Sequence, residues 1–283
     1  MRLASWESLG NLPPRELAQA RVLLHHAAQL VAAVGRSLVP RQPDDGHTSF
    51  AWDAGAFVGQ EVPGSPPWRA ALRPSDLSLA VAAHGAEAEH LALAGRTRDE
   101  AVAWLAAAAR ARGTPADGLM LAAPYALPEH PVASGAAFPS GEVGSLAELG
   151  RWFADGDALL RAVASAWPGA APVRVWPHHF DIGSVLPLGG ESGEQAPSIG
   201  VGLSPGDEGI AEPYLYVTLW PALPAEALPA LPAGRWHREG WLGALLSGSE
   251  IVAAGDGAAQ AALAHAFTSG AIDVLRSAHA RRS

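Results

Sequence analysis

The sequence predicts an α+β fold: two related halves of mainly antiparallel sheet, with helices packed on one face. Three observations carry this expectation. Strand-like segments come in runs separated by Gly/Pro turns, not singly between helices, which disfavours a doubly wound parallel sheet. A helix precedes each run and another follows it. Two short motifs also recur, which points to an internal duplication: Trp52-Asp53-Ala54-Gly55-Ala56-Phe57 parallels Phe180-Asp181-Ile182-Gly183-Ser184-Val185, and Leu72-Arg73-Pro74-Ser75-Asp76 parallels Leu203-Ser204-Pro205-Gly206-Asp207. The chain reads as a single globular unit over 1–283, with pseudo-repeats at 15–113 and 145–280 joined by a Pro/Gly/Ala-rich connection at 114–143.

Pro13-Pro14 suit a first helical turn, where a missing N–H costs nothing. Leu17, Ala20, Leu23, Leu24, Ala27, Ala28, Leu30, Val31 and Val34 then recur at helical spacing, ending near Gly35. His25 and His26 are adjacent on this helix and so diverge, one toward solvent and one half-buried, which disfavours a metal pair. Strands are expected at 48–52, 56–62, 68–72, 77–83 and 89–93, punctuated by Gly55, Pro63-Gly64, Pro66-Pro67 and Gly85. Thr97 caps the next helix, with Asp99 and Glu100 at the positive end of its dipole and Gly113 past its end.

Residues 114–143 lack periodicity. Pro124-Tyr125, Pro128-Glu129-His130-Pro131 and Phe138-Pro139 mark a long crossing connection, and connections of this length are functional or wrap the surface. Ser145 and Glu148 form a capping box for a helix that Pro168-Gly169 stops. The second run places strands at 173–175, 182–186, 198–203, 214–219 and 236–246, with a flexible turn at 189–197 and a proline-rich connection at 221–232. A helix over 257–278 follows.

Composition excludes several function classes. With 49% hydrophobic residues the chain is globular. A net charge of −9 without any basic cluster argues against nucleic acid as a partner. No cysteine is present, which removes disulfides, thiolate metal sites and a cysteine nucleophile. No lysine is present either, so Schiff-base chemistry and a phosphate-loop lysine are excluded. The longest apolar segment, 22–34, is interrupted by His25, His26 and Gln29 and is too short to span a bilayer. No signal peptide is evident, so no membrane partner and a cytoplasmic location are expected.

The stretch 172–220 concentrates the chemistry. Its motifs are Trp176-Pro177-His178-His179-Phe180-Asp181, Ser204-Pro205-Gly206-Asp207 and Pro213-Tyr214-Leu215-Tyr216-Val217. In these the chain resembles a family of bacterial conserved hypothetical proteins that share an H-F-D-type strand, a glycine-proline turn and an aromatic strand. That resemblance implies membership and order of elements; it carries over no reaction and no catalytic residue.

Gly202-Leu203-Ser204-Pro205-Gly206 fits G-x-S-x-G, but the residue after the serine must donate its N–H to an oxyanion and Pro205 has none. A tight turn with Asp207 bonding its own backbone is the better reading. Strand alternation puts His179 and Asp181 on one face, a neutral-imidazole and carboxylate pair suited to a divalent metal. Asp207, Glu212, His237 and Glu239 are the candidates to complete the ligand set. Trp176, Tyr214, Tyr216 and Arg238 are candidate contacts for a small-molecule ligand; the three aromatics, with Trp220, Trp236 and Trp241, could line an apolar pocket, although core is the readier reading for all six. A divalent metal is the one cofactor the cluster suits; nothing points to a nucleotide, PLP, haem or iron–sulfur. Two functions follow from different classes: a small-molecule or metal site in the C-terminal half, or a non-catalytic structural or protein-interaction module. Convergence of the six side chains on one pocket separates them.

Overall fold

Every strand among the described residues belongs to one of two antiparallel sheets, of five and six strands. The computed structural model describes residues 6–189, 196–224 and 228–281, so most of the turn expected at 189–197 and part of the connection at 221–232 lie outside the described residues. The chain divides into two compact units. One comprises residues 17–150 and 174–180, and the other the remainder.

The first unit is built on helix α1 (Ala18–Leu38), entered through a 3-10 turn at Pro14–Leu17. Every residue from Leu23 to Gly35 is buried. A helix buried all round must satisfy its polar side chains internally, and this corrects the expectation of one solvent-facing histidine. His25 is 7% and His26 1% exposed. The helix also continues through Gly35 to Leu38, and glycine is needed at 35 because a Cβ there would overlap the His47 carbonyl.

Strands β1 (Ala51–Asp53), β2 (Ala56–Val58), β3 (Trp68–Arg73), β4 (Ser78–Ala83) and β5 (Glu89–Ala92) form an antiparallel meander in chain order. Asp53 pairs with Ala56 across a two-residue turn in which Ala54 and Gly55 both have positive φ, 45° and 78°. That is the twist-matched hairpin turn. Alternation along β3 buries Trp68, Ala70 and Leu72, and α1 packs on this strand. Helix α2 (Arg98–Ala111) starts at a full capping box between Thr97 and Glu100 and packs against α1. The short strand β6 (Arg174–Trp176) bridges to Phe50 through Val175.

In the second unit, β7 (Asp181–Pro187), β8 (Ser198–Ser204), β9 (Tyr214–Trp220), β11 (Gly243–Ser247) and β10 (Arg235–His237) are neighbours in that order. The sequence reads 236–246 as one strand; it is a hairpin, pairing Trp236 with Ala244 and turning through Gly240 at φ 81°. Helix α4 (Gly248–Ala253) follows from a capping box of Ser247 and Glu250, and α5 (Gly257–Ala280) packs its Phe267 side on β8, β9 and β11. Helix α3 (Val143–Ser165) begins two residues before Ser145, so that serine lies inside the helix and is not its cap.

One of the two sequence parallels has a structural counterpart. Leu72–Asp76 and Leu203–Asp207 both lead out of a strand into a turn. Asp53-Ala54-Gly55 forms a hairpin turn, whereas Asp181-Ile182-Gly183 lies within β7. No described helix is long and apolar enough to cross a membrane.

Burial lowers the His25 pKa from 6.5 to about 4. The unfolded chain therefore binds a proton that the folded chain resists, and stability is complete above about pH 6.5 and falls as pH drops toward 4. His26 and His265 shift the same way. Urea midpoints are expected to fall between about pH 7.5 and 5, with about 2 kcal/mol of the loss from His25. His25→Gln keeps a donor in place and should flatten that dependence; an unchanged slope contradicts the assignment.

Candidate functional site

The six residues proposed as metal ligands are distributed among separate local contacts. Among the described residues, no group of three or more His, Asp or Glu side chains is arranged to hold a metal ion. His179 is exposed and lies against His178, with ring centroids 4.4 Å apart. Asp181 accepts a short hydrogen bond from the Tyr216 hydroxyl. Asp207 accepts the backbone N–H groups of Gly209 and Ile210, each at 2.7 Å, and the Tyr214 hydroxyl at 2.5 Å. This is the self-bonding turn that the sequence predicts. Glu212 is buried, accepts the Ser249 N–H at 2.7 Å in the first turn of α4, and faces Arg15 at 3.4 Å. His237 ends β10 and donates from Nε2 to the Glu239 carbonyl at 2.6 Å. Glu239 is in the turn, so the two do not share a strand face.

The candidate ligand contacts have comparable local explanations. Tyr214 and Tyr216 pack with Trp241 at 6.1 and 6.2 Å, and His237 lies 4.4 Å from the same indole. Tyr216 pairs with Gly202, which pairs with Gly183. Its ring lies across β8 to reach Asp181 on β7, and a Cβ on Gly202 would overlap it. The Ser204 hydroxyl accepts the Gly206 N–H at 3.1 Å. Both glycines and the serine of the G-x-S-x-G sequence therefore have structural roles. Arg238 is exposed in the turn. Trp176 is half-buried beside His178, with the Arg174 guanidinium 5.9 Å from its ring centre.

The Trp176–Phe180 segment of the histidine motif is structurally decisive in the first unit. It forms a turn in which the Phe180 N–H bonds the Trp176 carbonyl at 2.7 Å and Phe180 takes φ 57°. A left-handed aromatic residue persists only where its surroundings fix it. Here Phe180 is 1% exposed, stacks on His25 at 4.9 Å, and touches Phe57 at 5.4 Å. The Pro177 carbonyl accepts from both His25 Nε2 and Gln29 Nε2, each at 2.8 Å.

Gln29 connects this turn to a cavity. Its Oε1 accepts the Tyr125 hydroxyl at 2.9 Å, and Arg36 reaches the same hydroxyl at 3.5 Å and the Leu121 carbonyl at 3.3 Å. Residues 121–135 thereby fold back over α1 and the start of α2 to enclose a half-open cavity of about 1020 Å³. His26, Arg98, Asp99, Tyr125 and His130 are in its walls. His26 donates from Nε2 to the Pro128 carbonyl at 2.8 Å, which leaves Nδ1 as a lone pair, buried and without a hydrogen-bond partner. His130 begins a short 3-10 turn (Pro131–Ser134), and its Nδ1 accepts the Val132 N–H at 3.3 Å. Its proton is therefore on Nε2. Burial lowers the pKa of both histidines, and of His26 further through Arg98 and His130, so both rings are neutral at pH 7.

The length of 114–143 and its lone tyrosine and histidine between prolines mark this cavity in the sequence. Arg98 gives no such signal, being one of many arginines.

The chain matches no known family, no curated protein and no solved structure.

All three tyrosines are pushed above the usual phenol pKa, Tyr214 and Tyr216 far above it by burial and by the carboxylates of Asp207 and Asp181, Tyr125 by burial against the opposing pull of Arg36. Alkaline titration of the native protein should show at most one phenol ionising near pH 10. Tyr214 and Tyr216 are expected to ionise together on unfolding, with stability falling as pH rises above about 10. Two or more phenols that titrate near 10 in the native protein contradict this.

Proposed function

We propose that the protein binds a small polar organic molecule in the cavity enclosed by residues 121–135. One observation carries the reading: a cavity of about 1020 Å³ has in its wall a histidine, 1% exposed, whose Nδ1 is buried without a partner. Ligand sites are concave and carry a few fixed polar groups among apolar ones, and buried polar atoms are ordinarily satisfied. The size suits a metabolite, and the wall is braced: Tyr125 and Arg36 tie it to Gln29 of α1. In the second unit, Asp181, Asp207, Glu212 and His237 are instead occupied by internal hydrogen bonds that fix turns and strand ends.

Saturation-transfer NMR against a mixture of small metabolites should give at least one binder. Ala133 is exposed at the cavity wall, so Ala133→Trp should fill the space without disturbing the fold and abolish the signal. Binders that persist in A133W, or no binders at all, refute the reading.

A further inference from the structure

The groups left available in this cavity are biased in charge, and the bias identifies the ligand class. The argument rests on the cavity being a ligand site. Arg98 stands in the wall at the first turn of α2. Its Nε is buried without a partner, and among the described residues its guanidinium makes no hydrogen bond or ion pair. Arg36 lies close enough to repel it, and among the described residues is itself bonded only to neutral oxygens, the Tyr125 hydroxyl and the Leu121 carbonyl. Burial lowers the Arg98 pKa, Asp99 opposes that, and Arg36 lowers it again. A partly buried cation beside a second cation is costly, and an entering anion offsets that cost.

Of the other groups in the wall, His26 Nδ1 is a neutral acceptor and His130 is a second donor. With Nδ1 of His130 accepting from Val132, the ring proton is on Nε2, which is placed to donate from a half-buried ring in the cavity wall. His26 and His130 are adjacent, with ring centroids 5.8 Å apart. The carboxylates at the cavity, Asp99 and Glu129, are both exposed, whereas Arg98 and His130 are half-buried.

We infer that the ligand is a small organic anion whose carboxylate or phosphate group is held by the Arg98 guanidinium and the His130 Nε2–H. A guanidinium matches either group with paired, charge-assisted hydrogen bonds. The remaining wall, from Leu121 to Leu127 and Pro131 to Ala133, gives apolar contact to the carbon skeleton.

Matched pairs test this. Gluconate beside sorbitol, malate beside malamide, and glucose 6-phosphate beside glucose differ in the anionic group over a similar skeleton. Each is titrated into the full chain by saturation-transfer NMR and calorimetry, with A133W, Arg98→Gln and Glu129→Gln as variants. The anionic member of at least one pair should bind and its neutral partner should not. R98Q should weaken that binding roughly tenfold to a hundredfold, and E129Q should leave it equal or tighter. Whether carboxylate or phosphate members bind distinguishes the two sources of charge. Because Arg98 makes no hydrogen bond or ion pair among the described residues, R98Q should keep the wild-type urea midpoint, which excludes unfolding as the cause of a loss. Neutral members that bind as well as their acids, or anions that bind R98Q undiminished, overturn the inference but leave the cavity as a ligand site if A133W abolishes them. Absence of any binding to the wild-type chain, by these pairs and by the wider mixture, overturns both.

Discussion

A single backbone carbonyl, that of Pro177, carries an unusual share of the first unit's organisation. It receives two side-chain donors from successive turns of α1, His25 and Gln29. Without them, two buried polar side chains on the central helix and one buried carbonyl would lose their partners, each at a cost of about 1–3 kcal/mol. The same contact holds Phe180 in its left-handed conformation by placing His25 flat against its ring. Because Gln29 also accepts from Tyr125, the turn, the helix and the wall of the cavity form one hydrogen-bonded series. The histidine motif thus supports the cavity from behind. Its own exposed members, His178 and His179, are not in the cavity wall.

That arrangement explains what was legible in the sequence. Local rules worked where local forces decide. Thr97 does cap α2, Gly55 does turn the first hairpin, and Asp207 does bond its own backbone. The serine of the G-x-S-x-G sequence was set aside because proline lacks a donor, and its hydroxyl bonds the turn backbone; the reason for Gly202 is non-local: it makes room for a tyrosine from the neighbouring strand. The runs of antiparallel strands were likewise readable from turn spacing.

Errors arose where long-range packing overrides pattern. Adjacent histidines on an amphipathic helix look like one inside and one outside; both are buried because chain packs around α1 on all sides, and each then requires its own distant carbonyl, Pro177 or Pro128. Alternation over 236–246 looks like one strand, yet Gly240 folds it into two. Strand periodicity placed His237 and Glu239 on one face for the same reason, and the turn removed that relation. Arg98, the proposed anion contact, gave no signal in the sequence because the argument for it is that its Nε lacks a partner among the described residues, a property that no sequence pattern encodes.

The upward shift of the phenols has a consequence for the charge of the whole protein. Cysteine and lysine, which with tyrosine are the side chains that ordinarily titrate between neutrality and strong alkali, are absent here, and the three tyrosines are pushed upward by their surroundings. From the end of the histidine range until the phenols begin to ionise, the folded side chains have few protons to take up or release. The net charge of −9 and the field it generates therefore change little over that span. Within it, electrostatic attraction or repulsion of anything approaching the molecule is set by its geometry and by salt more than by pH.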